Sequence, residues 1–399
     1  MTTPDMPSYA RPLSLSRGAG IPAVSGNAAC ALEGGSTRGA PCSTFNEHDV
    51  AVLKTKAWTP TGQNGRATII RLGVIWAGGQ PTPAAALDSD FVARLHAFLS
   101  LCEEHNIRVI LDVHQDAVGT AQCGEGIPMW YSKQHFPHRI GKPILGPKSS
   151  MKGNCSEVDT KSWAIAAGDP NYNLLNPCCL RWNAPGGWGS NIEVTDFAEL
   201  QIEQLVGTPA GRKAYATYVG LLAESVSEHP AAIGIELMNE PPTIDSAGLY
   251  KLFEECYVAI RKVAPDLAVG ISDTGNDPTY SDDSRLPAAT KAWLRQATHL
   301  FYAFHCYGTA CGIQGAGKTP ADAVANVVKL TDSWGAAAFC TEFGTPGIAE
   351  ASAAAGIGWT QYQYNGFCNV PCADGQNTCP DGNKTCVPGT PCAFGACIT

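Results

Sequence analysis

Two glutamates stand where apolar chain segments end: Glu240 in Ile233-Gly-Ile-Glu-Leu-Met-Asn-Glu-Pro241, and Glu342 in Ala338-Phe-Cys-Thr-Glu-Phe-Gly344. Each closes a short apolar run that reads as a buried strand, and the residues after it break that run. Carboxylates at the carboxyl ends of parallel strands are the groups from which a (β/α)8 barrel builds its site. One of a pair can hold a proton for a leaving group while the other stays ionised to attack carbon. That division of labour cleaves a glycosidic bond, with retention when the carboxyl groups stand about 5–5.5 Å apart. Asn239, beside Glu240, offers an amide for a sugar 2-hydroxyl, so Glu240 suits the acid/base and Glu342 the nucleophile. The competing reading is that each glutamate caps its strand or pairs with an arginine, and for either one alone it is equally good.

The elements that must position this pair alternate along the chain in the manner of parallel βα units. Ala67–Ile75 reads as a strand. Asp88 or Ser89 can then cap a helix whose apolar residues Phe91, Val92, Leu95, Phe98, Leu99 and Cys102 share one face. Arg108–His114 is the next strand. Further strands are expected at 233–239, 267–272, 299–305, 336–341 and 356–363, with helices opened by Thr208-Pro209, over 246–263, and over 320–334 after Thr319-Pro320. A short helix is expected within 279–297, and Leu13–Ile21 is the reading for the first strand. The whole predicts a (β/α)8 TIM barrel: one catalytic domain over 1–366, with an irregular insertion at about 117–207 after the third strand, followed by a Cys-rich tail at 367–399. Four of the nine tryptophans, Trp130, Trp163, Trp182 and Trp188, fall in that insertion.

Composition narrows the class. Hydrophobic residues make up 44% and charged ones 16%, which is globular, and a formal charge of −9 without a basic stripe argues against nucleic acid as a partner. No apolar run reaches the roughly 20 residues of a membrane span. Of the 17 cysteines, six lie in the tail and eleven elsewhere. No Cys-x-x-Cys pair and no tail histidine favour zinc, so the reading is disulfides stapling the insertion and the tail, in a secreted glycoprotein with acceptors at Asn154 and Asn383. Eleven is odd, so at least one thiol is expected free unless the pairing crosses this boundary. The first 25 residues lack the apolar core of a signal peptide. No metal-ligand spacing links the remaining histidines, so no metal and no cofactor are expected.

Taken in order, these motifs resemble glycoside hydrolase family 5, retaining β-glycosidases on (β/α)8 barrels. The residues that carry the likeness are Asn239-Glu240-Pro241, Thr341-Glu342-Phe343-Gly344, Arg71 in Ile70-Arg-Leu-Gly73, His114, and His305-Cys-Tyr307. The resemblance implies that Arg71 and Tyr307 contact the nucleophile, that His305 bears on the acid/base, and that His114 and Asn239 bind sugar hydroxyls. Within the family, Arg71-Leu-Gly-Val-Ile-Trp76, Leu111-Asp-Val-His-Gln-Asp116 and Gly126-Ile-Pro-Met-Trp130 resemble the endoglycoceramidases and their relatives. That likeness makes Asp116 a sugar-binding carboxylate and sets Trp130 near the cleft. The family's last-strand platform aromatic aligns with Tyr362, with Trp359 three residues earlier; alternation places the two on opposite faces. Asp112 is expected to face inward and orient its neighbours.

The function expected from these residues is that of a monomeric retaining β-glycosidase acting on β-linked glucosides or related glycans. The alternatives are endoglycoceramidase-type cleavage of a glycoconjugate, and a carbohydrate-binding barrel without catalysis. The endoglycoceramidases usually carry a carboxyl-terminal β-sandwich, whereas a short Cys-rich tail is what is expected here.

Overall fold

The structure, a computed structural model, describes residues 50, 68–115, 118–119, 121, 126–140, 196–242, 245–272, 286–307, 319–343 and 345–360. Seven strands are described: β1 Ile69–Ile75, β2 Arg108–His114, β3 Ala232–Glu236, β4 Ala268–Ile271, β5 Leu300–Cys306, β6 Ala337–Phe343 and β7 Gly358–Trp359. They pair in chain order, every neighbour parallel. Such a sheet fits a (β/α)8 barrel whose remaining strand would stand between β7 and β1. The segment expected to supply it, Leu13–Ile21, lies outside the described residues.

Nine helices are described: α1 Trp76–Gly79, α2 Ser89–Glu104, α3 Met129–His135, α4 Asp196–Gly207, α5 Pro209–Val226, α6 Ser246–Val263, α7 Ala288–Gln296, α8 Pro320–Trp334 and α9 Ile348–Ala354. Their starts follow local chemistry. Asp88 accepts from Phe91 N, Thr208 from Gly211 N, and Thr319 forms a reciprocal capping box with Asp322; each side chain satisfies an amide that the first helical turn leaves without a partner. Burial then fixes the faces. On α6, Leu249, Leu252, Phe253, Cys256 and Ile260 are all buried, and each large apolar side chain removed from water contributes about 1.5–3 kcal/mol.

Alternation sorts the strand residues. Ile70, Leu72, Val109, Leu111, Ile235, Tyr302, Phe304 and Cys340 pack outward with the helices. Ile69, Ile110, Phe301 and Phe339 form an apolar plug inside the sheet, toward the strands' amino ends. Gly270 is glycine for a steric reason: a Cβ there would lie 2.4 Å from the Phe301 ring.

One expectation changes, and another, that at least one thiol is free, is met. The stretch 117–207 was expected to be irregular, yet α3 and α4 lie within it. Phe197, Ile202, Leu205 and Val206 of α4 are buried, but Gln201 and Gln204 interrupt that apolar stripe. They are satisfied by α3, Ser132 donating to Gln201 at 2.5 Å and Tyr131 to Gln204, which hides the helix from a periodicity reading. The cysteines are also not all paired: Cys102, Cys256 and Cys340 are buried free thiols. Cys306 is disulfide-bonded to a partner outside the described residues. The tail 367–399 and both glycosylation tripeptides likewise lie outside them.

Candidate active site

Inward-facing side chains from five strands and the turns that follow them meet above the apolar plug. β1 supplies Arg71, β2 supplies Asp112 and His114, β5 supplies His305, and β3 and β6 lead to the two glutamates. Glu342 reaches the interior through a bulge. Phe304 pairs with Cys340 but His305 pairs with Glu342, so Thr341 is an extra residue. Without it, Glu342 would share the outward parity of Cys340; one inserted residue turns the side chain inward.

Arg71 is fully buried and forks between carboxylates. Its Nε donates to Glu236 Oε2 at 2.6 Å and its Nη2 to Glu236 Oε1 at 3.0 Å. Nη2 also donates to Asn239 Oδ1 at 2.8 Å and lies 3.1 Å from Asp112 Oδ1, while Nη1 donates to Glu342 Oε2 at 2.9 Å. Tyr307 donates its hydroxyl to the other oxygen, Glu342 Oε1, at 2.6 Å. A donor on each oxygen stabilises negative charge on Glu342.

Glu240 sits in a different setting. His305 Nδ1 lies 2.8 Å from its Oε1, and 20% of its side chain is exposed against 6% for Glu342, so Glu240 is the one open to the cleft. Its backbone is left-handed, φ 38°, a region costly for a residue with a Cβ. The segment before it is tied down: Leu237 O accepts from Tyr215 Oη at 2.6 Å, Met238 O from Ser272 Oγ at 2.9 Å, and Asn239 N donates to Val113 O at 3.1 Å.

His114 donates Nδ1–H to Asp112 Oδ2 at 2.6 Å, which fixes its ring orientation and bears out the inward reading of Asp112. Asn239 is more committed than its motif suggested. Its Oδ1 accepts from Arg71 and its Nδ2 donates to Gln115 O at 3.0 Å, which leaves one amide hydrogen for a ligand.

One aromatic expectation is corrected. Trp359 is buried, packs T-shaped on Phe343 at 5.8 Å and belongs to the core between sheet and helices. It pairs in register with the outward-facing Cys340, so it cannot lie under a sugar in the barrel. Trp130 packs edge-on against Trp76 at 5.8 Å and spends its indole N–H on Gln80 O at 2.8 Å. Among the described residues no hydrogen bond or ring contact joins it to either glutamate. Asp116 and Tyr362 lie outside the described residues.

Two participants escaped the sequence reading. Glu236 was legible as a lone charge inside the apolar run Ile233–Leu237, which demands a buried counter-charge. Gln115 had no such signal beyond its place after His114.

Glu240, His305 and Glu342 offer ligand atoms within 4.8 Å of one another, a spacing that a cation also accepts. Here both Glu342 oxygens already receive donors and Arg71 places fixed positive charge against them. The trio is therefore organised as a hydrogen-bonded set, and a cation would have to displace those donors.

The buried charges predict a pH response. Burial alone would raise the Glu236 carboxyl, but the Arg71 charge and its hydrogen bonds, with His305, hold it well below its ordinary 4.5. Burial alone would lower His305; the charge of Glu342, with Glu236 and Glu240, overrides it and raises the imidazole from 6.5 to about 10. A depressed carboxylate stabilises the fold above its unfolded pKa, and that share is lost as pH falls below 4.5. A raised histidine contributes fully below 6.5, and that share is lost as pH climbs toward about 10. The Tm of the wild-type protein should therefore fall between pH 6.5 and 10 more steeply than that of His305→Asn. Parallel profiles would remove His305 as a source of the alkaline loss.

Comparison with known proteins bears on the family and the fold. The sequence pattern of the family described as Cellulase (glycosyl hydrolase family 5) matches residues 32–367. An endoglycoceramidase of Hydra vulgaris is 25% identical over 244 residues, covering 57% of this chain and 40% of that protein. Endoglycoceramidase I of Rhodococcus hoagii (strain 103S) is 24% identical over 172 residues, covering 43% of this chain and 26% of that protein. The matches thus span less than half the length of these curated relatives. Among solved structures, the lactosyl-enzyme intermediate of endo-glycoceramidase II from Rhodococcus sp. superposes with a TM-score of 0.55 at 17% identity, over 94% of this chain and 77% of that one. Endogalactoceramidase superposes with a TM-score of 0.56 at 16% identity, over 94% and 78% of the two chains. At such identities the shared property is the fold.

Proposed function

Because the chain belongs to the cellulase family, glycosyl hydrolase family 5, we propose that it is a secreted, monomeric retaining β-glycosidase that hydrolyses β-linked glucosides or related glycans by double displacement. The observation that carries this reading is the pair of carboxylates: Glu240 and Glu342 bring oxygens within 4.8 Å of one another, in unequal environments. That approach is compatible with the retaining arrangement, in which the carboxyl groups stand about 5–5.5 Å apart.

In the first step, Glu342, held ionised by Arg71 and Tyr307, attacks the anomeric carbon. Glu240, with His305 Nδ1 2.8 Å from its Oε1, gives a proton to the departing oxygen. The products are a glycosyl ester on Glu342 and a free alcohol. In the second step Glu240 removes a proton from water, which attacks the anomeric carbon and releases Glu342 as a carboxylate. His114 and the remaining amide hydrogen of Asn239 hold sugar hydroxyls, and Asp116 adds a further sugar contact. Trp130 walls the cleft through its packing on Trp76. With Trp359 turned outward, strand alternation leaves Tyr362 as the platform aromatic.

Glu240→Gln tests the assignment of acid/base. Turnover of phenyl β-glycosides, whose leaving group needs protonation, should fall by about 10²–10⁴-fold, the usual scale of general acid catalysis. Formation of the glycosyl-enzyme from 2,4-dinitrophenyl β-glycosides should change far less. Equal losses on both substrates would remove Glu240 from that role.

A second substrate class, glycolipid, follows from the endoglycoceramidases among the similar proteins. A panel of aryl β-glycosides, β-linked oligosaccharides, polysaccharide and glucosylceramide separates the two. Release of intact ceramide would assign the glycolipid, and cleavage confined to polysaccharide would exclude it. Binding across the panel with no product would favour a carbohydrate-binding barrel instead.

A further inference from the structure

We infer that Gln115 is a positioning residue for Glu240, holding its strained backbone so that the carboxyl points into the cleft. This rests on the reading of Glu240 as acid/base. Gln115 follows His114 at the end of β2 and is buried. Its Nε2 donates to two successive carbonyls, Asn239 O at 2.8 Å and Glu240 O at 2.9 Å. Successive carbonyls of an extended strand point to opposite sides and could not share one donor. They converge here at the left-handed Glu240, so the amide group that bridges them favours this turn over an extended one.

The grip is reciprocal and supported from behind. Asn239 Nδ2 donates to Gln115 O at 3.0 Å, and Gln115 Oε1 accepts from Val118 N at 2.9 Å. Val118 itself is left-handed at φ 65°, uncommon for a β-branched residue, and this bend turns its amide toward Gln115. Gly126 completes the seat, since a Cβ there would lie 2.7 Å from Gln115 Cβ and 2.6 Å from Val118 O. Only a primary amide offers two N–H donors and an acceptor at this length. Glutamate would set carboxylate oxygens against the two carbonyls, and methionine would fill the space without bonding.

The test compares Gln115→Met and Gln115→Glu with wild type in the full chain. The substrates are the phenyl and 2,4-dinitrophenyl β-glycosides of the sugar the wild-type protein accepts. A misaimed acid should lower kcat on the phenyl glycoside by about 10–100-fold while KM stays within about 2-fold. The rate of glycosyl-enzyme formation from the dinitrophenyl glycoside should stay within about 3-fold, because that leaving group departs without a proton. Gly126→Ala, whose Cβ would press on Gln115 Cβ and Val118 O, should reproduce the same selective loss, and Gln115→Asn, which keeps the amide but falls short of the two carbonyls, serves if the other variants do not fold. Equal losses on both substrates, or none on either, would overturn the inference. If Glu240→Gln is selective and the Gln115 and Gly126 variants are not, Gln115 loses its role while the proposed mechanism stands. A wild-type protein inactive on every glycoside would end both.

Discussion

Glu342→Gln should abolish turnover of every substrate, activated or not, by at least about 10⁴-fold, the scale of losing a nucleophile in a two-step mechanism. Geometry makes the effect independent of the leaving group. Glu342 receives Arg71 Nη1 at 2.9 Å and the Tyr307 hydroxyl at 2.6 Å, so an amide in its place keeps the shape but removes the charge that those donors address. A 2-fluoro-β-glycoside with a good leaving group should leave a stable adduct on the wild-type protein, found by mass spectrometry on the peptide that carries Glu342. The first sugar released should keep the β configuration by proton NMR. Label on any other residue, or an inverted product, would discard the nucleophile assignment. Wild-type rates in both Glu240→Gln and Glu342→Gln would discard the catalytic pair altogether.

Arg71→Met should destabilise the fold by about 3–5 kcal/mol at neutral pH, because breaking a buried ion pair leaves uncompensated charge. Here one guanidinium faces Asp112, Glu236 and Glu342, whose side chains are 0%, 0% and 6% exposed. Removing it takes the guanidinium charge from all three and leaves them His114 beside Asp112, His305 beside Glu236 and the Tyr307 hydroxyl on Glu342. Protonation relieves carboxylates that have lost their counter-charge, so the difference in Tm between Arg71→Met and wild type should shrink as pH is lowered from 7 to 4.5. Arg71→Lys should recover only part of the loss. An ammonium keeps the charge but cannot fork from Glu236 to Glu342 and Asn239 at once. A deficit under about 1 kcal/mol, or one that does not change with pH, would show that the carboxylates do not depend on Arg71.

Local chemistry made much of the architecture readable. The helices over 246–263 and 320–334 and the strand Arg108–His114 lie where periodicity and caps place them. Asp88, Thr208 and Thr319 announce their helices because an N-cap satisfies amides within three residues of itself. Both glutamates were found from their place at the ends of apolar runs. Where buried positions are polar, the pattern fails: Gln201 and Gln204 make α4 read as loop, although α3 satisfies them.

What the sequence by itself determined is the set of chemical groups and their order along the strands: Arg71, His114, Asn239-Glu240, His305, Tyr307 and Glu342. These follow from residue identity and from interactions spanning a few positions. Which groups touch was decided by the tertiary structure alone. The bulge at Thr341 turns Glu342 inward only through the register of β6 against β5. Arg71 chooses Glu236 because β1 and β3 bring together residues 165 positions apart, and Gln115 reaches the Glu240 backbone across 125. Outward parity hides Trp359 in the core. The reason is physical: propensity and capping act along the chain, whereas register and packing act between strands that only the folded sheet makes neighbours.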